Sequence, residues 1–426
     1  MRAYKEYKDS GYDWLGKIPA HWEWLYLFQI CREQYQKNNT KEELPVLSLS
    51  YGKIIIKENI DFGLTPNDYL TYQIVKNGNI ILRLTDLQND HKSLRTGLVK
   101  NRGIITSAYT CITTSCNYNF IHYLLHAYDC HKIFYGLGGG VRQSIGYAQI
   151  KNIKLPIPPR EEQDAIVRFL DAKCAKIDSL IKLKERQIAL LNEKKQNIIN
   201  QAVTRGLDPN APMKDSGVDW IGEIPEGWEM KKVRRCFSST LGKMLASEAK
   251  SPNDTFEKYF CAKDVHFSGI DSSDLKKMWF SEKEKIQFAV EKGDLLVVEG
   301  GAGAGGAAIF NEEGSYYIQN SIHRIRAKNG HDNNFLYYWL FALVNRKYID
   351  FACNKATIPH FTGDKLKEMP FPVMPLEEER QICHYLNEKL QLFETIIRNI
   401  KREIDLLVEY RARFISDVVT GKINIL

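Results

Sequence analysis

The sequence predicts an α+β fold: two mixed α/β domains in tandem pseudo-repeat, separated by two long antiparallel coiled-coil helices. Three observations predict it. Several landmarks recur in the same order, two long stretches carry a heptad seam, and the segments between are short apolar runs broken by Gly, Asn and Asp. A chain of 426 residues, 44% hydrophobic and 26% charged, has the size of two or three globular domains.

The first element is Lys8-Asp9-Ser10-Gly11-Tyr12-Asp13-Trp14-Leu15-Gly16-Lys17-Ile18-Pro19, which returns as Lys214-Asp215-Ser216-Gly217-Val218-Asp219-Trp220-Ile221-Gly222-Glu223-Ile224-Pro225. Each copy is followed three residues on by a tryptophan, Trp22 and Trp228. Next come the variable middles, residues 20 to 155 and 226 to 371. Runs such as Leu44 to Leu49, Ile80 to Leu84, Gly103 to Ile105 and Asp294 to Val298 read as strands with turns, and Asn119 to His131 and Asn334 to Phe351 read as helices, so the middles are mixed α/β. Within them Val75-Lys76-Asn77-Gly78-Asn79-Ile80-Ile81 is echoed by Val290-Glu291-Lys292-Gly293-Asp294-Leu295-Leu296.

The third echo closes each copy. Pro156-Ile157-Pro158-Pro159-Arg160-Glu161-Glu162 matches Pro372-Val373-Met374-Pro375-Leu376-Glu377-Glu378 at an offset of 216. Prolines and then acidic residues mark a helix start, where negative charge meets the positive end of the helix dipole. The second copy continues with Leu386, Leu390, Phe393, Ile397, Ile400, Ile404, Leu407, Arg411, Phe414 and Val418 in alternating steps of four and three, the spacing of a coiled-coil seam. The same shift places Leu170, Cys174, Ile177, Ile181, Lys184, Ile188, Leu191, Lys195, Ile198 and Ala202 on the first copy's seam, interrupted by two lysines that either set register or extend out of it. The economical partner for each seam is the other copy. The resulting divisions are residues 1–155, 156–210, 211–371 and 372–426.

Lys and Arg number 59 against 52 Asp and Glu, a net +7. That mild excess suits an anionic partner, and it is concentrated in the first middle, which holds 15 basic and 10 acidic residues. The N-terminal residues are polar and no stretch approaches the ~18 apolar residues of a membrane span, so neither secretion nor insertion is expected. Nine cysteines without a CxxC pair read as reduced thiols of a cytoplasmic protein.

Arg is the side chain that best reads guanine edges, and Asn or Gln serves adenine. In the first middle the candidates beside Gly- and Asn-rich turns are Arg83, Arg95, Lys100, Arg102, Arg142 and Gln143, the last two following Gly138-Gly139-Gly140. In the second they are Lys243, Asn320, His323, Arg324, Arg326, Lys355, Thr357 and His360. Only three or four side chains per module ordinarily reach bases, so about half of these should serve other ends.

Catalytic signals fail in context. The loop Gly300 to Gly306 formally satisfies GxGxxG, but no helix-forming stretch follows it and no Lys-Ser/Thr pair makes it a P-loop. It reads as a flexible loop able to approach a phosphate backbone. His122 and His126 stand at zinc spacing without the Glu of HExxH, and no Gly-x-Ser-x-Gly is present. No catalytic residue, cofactor or metal is expected.

The ordered motifs, Lys8 to Pro19 with Trp22, Lys214 to Pro225 with Trp228, and Leu155 to Gln163 opening a helix that closes at Ala202-Val203-Thr204-Arg205-Gly206, resemble the specificity (S) subunit of type I restriction-modification systems. The resemblance covers essentially the whole chain. It implies two target recognition domains, each reading half of a bipartite, asymmetric double-stranded DNA sequence, joined by conserved helical regions that space the halves. It also implies a non-catalytic subunit docking two methyltransferase (M) subunits and, through them, the restriction (R) subunits. A nucleotide-binding enzyme using the Gly300 to Gly306 loop and a plain coiled-coil adaptor are the alternatives.

Overall fold

A computed structural model of the chain describes residues 3–39, 44–57, 69–87, 94–137, 145–301, 303–346, 348 and 360–426. They form two compact units. Met1–Glu185 with Lys401–Leu426 makes unit 1, and Arg186–Ile400 makes unit 2. This division passes through the middle of both long helices, Arg160–Arg205 and Leu376–Val419, so each unit unites one variable middle with part of each helix.

Unit 1 opens on a hairpin pairing Tyr7–Asp9 with Lys17–Pro19. Strand Glu23–Tyr26 then pairs with Lys154–Ile157, which brings the two ends of the first middle together. Between them lies an antiparallel sheet ordered Cys31–Glu33, Thr110–Thr114, Ile80–Leu82, Thr96–Leu98. Its central strand Ile80-Ile81-Leu82 is buried throughout, as a run of branched apolar residues with no alternation requires. Helix Tyr118–Cys130 packs on that sheet, its start capped by Asn117, whose side chain accepts from the Asn119 and Phe120 amides.

Unit 2 repeats this plan. Its hairpin pairs Met213–Asp215 with Glu223–Pro225, Glu229–Lys232 pairs with Pro370–Val373, and its sheet runs Phe237–Leu241, Ile322–Ala327, Leu295–Val298, Ala307–Ile309. Asp332 caps the equivalent helix, Asn333–Asn345. That helix ends before the Phe351 expected from its apolar content, which lies outside the described residues. Unit 2 also carries a second four-stranded sheet, Lys277–Phe280, Thr255–Phe260, Tyr316–Ile318, Ala289–Val290, in which Thr255–Phe260 and Tyr316–Ile318 run parallel.

The long helices bury the heptad positions. None of the seam residues named from sequence is exposed. In unit 1 Phe169 meets Phe414, Asp178 pairs with Arg411, and Lys184 pairs with Glu403; numbers rise along one helix as they fall along the other, so the two segments run antiparallel. In unit 2 Lys195 bonds Glu394 at 3.1 Å, and Ile199 and Ala202 share a core with Leu386 and Leu390. The two seam lysines therefore extend to carboxylates on the neighbouring helix.

Each unit is anchored alike. Trp22 Nε1 donates to Glu162 at 3.1 Å and Trp228 Nε1 donates to Glu378 at 2.9 Å. Glu162 also accepts from the Tyr4 hydroxyl at 2.6 Å and pairs with His21 at 2.9 Å. Both helices end on a glycine in the left-handed region, Gly206 at φ 73° and Gly421 at φ 77°, where a helix terminates readily without a Cβ. At Gly421 packing enforces the choice as well, since a Cβ would fall 2.3 Å from Pro19 Cδ.

Candidate nucleic-acid interface

The sequence candidates divide by what their side chains touch. Arg95 is fully buried, and it donates to the carbonyls of Thr85 at 2.6 Å and Asp86 at 3.2 Å and to the Tyr135 hydroxyl at 3.2 Å. It ties the turn after strand Ile80–Leu82 to the far end of the unit 1 helix. A guanidinium spent on backbone acceptors inside a core is not presented to a duplex, which corrects its placement among the base readers. Arg83 is half-buried on the same turn, its amide donating to the Arg95 carbonyl at 2.8 Å. Arg102 and Lys100 are exposed beside strand Gly103–Ile105. Arg142 and Gln143 lie outside the described residues.

In unit 2 three cations are likewise engaged in structure. Lys243 is 8% exposed, with Nζ 2.6 Å from both the Trp279 carbonyl and Glu284 Oε2 and 4.9 Å above the Phe280 ring. Arg324, 9% exposed, donates to the Ala289 carbonyl. Arg326 makes a bidentate pair with Asp294 at 2.6 and 2.9 Å and reaches Glu291 at 3.0 Å; the Asp294 hydrogen bonds raise its pKa above the usual arginine value. Arg324 and Arg326 tie strand Ile322–Ala327 to the segments beside it, and Lys243 holds Trp279 and Glu284, which corrects their expected role in the same way. Asn320 is half-buried, its amide bonded to the Lys243 carbonyl at 2.9 Å.

His323 and His360 are brought together around Glu299. His323 is 1% exposed, its Nε2 3.6 Å from Glu299 Oε2 with no hydrogen bond to either ring nitrogen, and burial pushes its pKa down to about 4. The ring is neutral and enclosed, so His323 too is corrected from reader to core residue. His360 is exposed and bridges Gly300. Burial raises the Glu299 pKa, which the charge of His360 partly offsets. Lys355 and Thr357 lie outside the described residues.

The glycine loop that follows Glu299 connects two antiparallel strands, Leu295–Val298 and Ala307–Ile309. The helix whose N-terminus would receive a dinucleotide pyrophosphate is a strand here. Among the described residues no three His, Cys, Asp or Glu side chains converge as a metal site, and no helix is long and apolar enough to cross a membrane.

One basic feature lies away from the glycine-rich turns. Lys231, Lys232, Arg234 and Arg235 are all exposed, and with Asn329 and His331 they line an open concavity of about 560 Å³. Glu368 pairs with Lys232 and Arg234, and Lys231 lies 2.9 Å from Glu229. The signal was local charge: four cations in five residues, Lys231 to Arg235. The same place in unit 1 reads Leu25-Tyr26-Leu27-Phe28-Gln29, with Tyr26 and Phe28 exposed and stacked at 5.4 Å.

Comparison with known proteins agrees with this two-copy arrangement. The type I restriction modification DNA specificity domain matches twice, over residues 51–193 and 225–406. The specificity subunit of the type I restriction enzyme MjaVIII of Methanocaldococcus jannaschii is 24% identical over 291 residues, 65% of this chain and 63% of that protein. A protein assigned as the specificity subunit of the MjaX enzyme of the same organism is 25% identical over 311 residues, 72% of this chain and 68% of its own length. Among solved structures, a chain from a study of assembly and conformational transition of the type I R-M system superposes with a TM-score of 0.69 at 17% identity, covering 95% of this chain and 99% of that one. The HsdS subunit of Thermoanaerobacter tengcongensis superposes with a TM-score of 0.51 at 16% identity, over 95% and 98% of the two chains. The two matched segments cover most of the sequence, and the chain therefore belongs to the family of type I restriction-modification DNA specificity proteins.

Proposed function

We propose that this chain selects the DNA target of a type I restriction-modification complex, each unit reading one half of a bipartite, asymmetric duplex sequence. The paired long helices act as an antiparallel coiled coil that spaces the halves, and with their flanks they dock two M subunits, through which the R subunits attach. The observation that carries this reading is the duplication of the anchor itself. Trp22 on Glu162 and Trp228 on Glu378 build the same frame twice, while the middles borne on those frames differ in charge, sheet content and exposed side chains. Two like frames suit two like partners, and two unlike middles suit two unlike half-sites.

Within the middles, the base-reading role falls to the half-buried Arg83 and Asn320, the exposed Arg102 and His360, and Arg142, Gln143, Lys355 and Thr357, which lie outside the described residues. The exposed run Lys231 to Arg235 contributes phosphate contacts, which position a protein on the duplex without reading sequence. Exchanging residues 20 to 155 for those of another family member tests the reading. One half of the recognised sequence changes and the other stays; a change in both halves, or in neither, contradicts it.

A further inference from the structure

A cavity of about 440 Å³ lies wholly within unit 1, lined by Asn119, His122 and His126 of helix Tyr118–Cys130, the hairpin tip Tyr51 to Lys53, and residues of the long helices that include Cys174 and Arg411. That volume falls in the range of small-ligand sites.

Unit 2 supplies an internal comparison. At an offset of 215 its helix carries Asn334, Tyr337, Tyr338 and Phe341 where unit 1 has Asn119, His122, Tyr123 and His126. The equivalence is structural as well: the Tyr123 hydroxyl donates to Asp171 and the Tyr338 hydroxyl to Asn387, two acceptors 216 positions apart on the long helices. In unit 2 this helix face is closed by the chain's own Phe267, whose ring lies 5.9 Å from Tyr337 and 5.2 Å from Phe341 and whose carbonyl accepts from the Tyr337 hydroxyl at 2.9 Å. In unit 1 two imidazoles replace the two aromatic rings, and Tyr51, at the hairpin tip that lines the cavity, is 80% exposed.

The open cavity carries an unmatched polar atom. Among the described residues His122 Nε2 is buried without a hydrogen-bond partner, and buried polar atoms are nearly always paired. Burial pushes the pKa of His122 down to about 3 and that of His126 to about 4, so both rings are neutral. A neutral imidazole that carries its proton on Nδ1 presents Nε2 as a hydrogen-bond acceptor. Leu94, Leu98 and Ile54 give the cavity apolar walls, and the exposed Lys53 and Lys100 line its opening.

We propose that this cavity binds one nucleotide, with an exocyclic amino group of its base donating to His122 Nε2 and its phosphate held at the mouth by Lys53 and Lys100. The nucleotide comes either from solution or from a duplex, extruded from its stack; the second source rests on the function proposed above and the first does not.

Titration calorimetry on the full chain separates the outcomes. 5′-AMP binds, adenosine binds more weakly, and 5′-TMP, which has no exocyclic amine, binds at least tenfold more weakly than AMP. His122→Phe weakens AMP at least tenfold. Lys100→Ala reduces AMP toward the affinity of adenosine while leaving adenosine itself unchanged, a split that misfolding does not produce. A target duplex with 2-aminopurine placed at each position in turn tests the DNA source: a fluorescence rise at one position, abolished by His122→Phe, assigns the ligand to DNA, whereas AMP binding without a rise assigns it to a free nucleotide. No AMP binding together with no fluorescence rise, or a His122→Phe protein that behaves like the parent in both assays, overturns the proposal. A chain that ignores the duplex yet binds AMP through His122 contradicts the proposed DNA function while leaving the pocket in place.

Discussion

Lys184 interrupts an otherwise apolar seam, and the repeat shows what the position accepts: its counterpart 216 residues on is Ile400, only 5% exposed. The Lys184 side chain is 22% exposed and pairs with Glu403, which is itself 54% exposed. An ion pair so open to water contributes about 0–1 kcal/mol, and the lysine stem already buries some apolar surface. Burying an isoleucine fully is worth roughly 1.5–3 kcal/mol. With the part the stem already supplies and the lost pair deducted, Lys184→Ile stabilises unit 1 by about 1 kcal/mol, raising its melting temperature by roughly 2–4 °C for a unit of this size. Glu403→Ala lowers it by no more than about 2–4 °C, the upper limit for a weak exposed pair. Calorimetric melting of the two variants, with chemical crosslinking to read the pairing of the helices, checks both. A fall in melting temperature for Lys184→Ile, or a changed crosslinking pattern, refutes the reasoning and makes the lysine a register device.

Other outcomes follow from the same contacts. Arg95→Met leaves the Thr85 and Asp86 carbonyls without their donor inside the core and costs about 2–4 kcal/mol in thermal or denaturant unfolding, while the protein that remains folded keeps its sequence preference. Lys231→Gln with Arg235→Gln lowers the slope of log K against log salt by about 2, near 0.9 per phosphate contact, equally on target and random duplexes; an unchanged slope removes this run from the interface. Inserting one heptad beside Lys184 in the first helix and its match beside Glu403 in the second adds ~10 Å to the pair, about three base pairs of duplex. The mapped spacer then widens by about that number with both halves unchanged, and an unaltered spacer refutes the ruler.

The repeat and the helices were legible in the sequence because their cause is local. A four-and-three alternation of apolar residues becomes a buried line on any helix that finds a partner, and Leu386 to Val418 and Leu170 to Ala202 are such lines. The fate of each cation was not legible, since it depends on atoms brought in from far along the chain. Arg326 meets an aspartate 32 residues away, Lys243 a glutamate 41 away, and Arg95 a hydroxyl 40 away. Nothing beside these residues distinguishes them from Arg102, which remains exposed. The unit 1 cavity was hidden for a related reason. His122 and His126 read as a zinc spacing lacking its glutamate, and only alignment with Tyr337 and Phe341, which pack against Phe267, singles out the face they share, which lines a cavity in unit 1.

In the proposed function, two unlike units on one duplicated frame read two unlike half-sites at a fixed separation. Mapping methylated adenines across the host genome, with and without this chain, tests it most directly. The account predicts one motif that depends on the chain, two different short half-sites flanking a spacer of constant length and free sequence. A continuous motif, two identical halves, or a methylation pattern unaffected by removing the chain contradicts it.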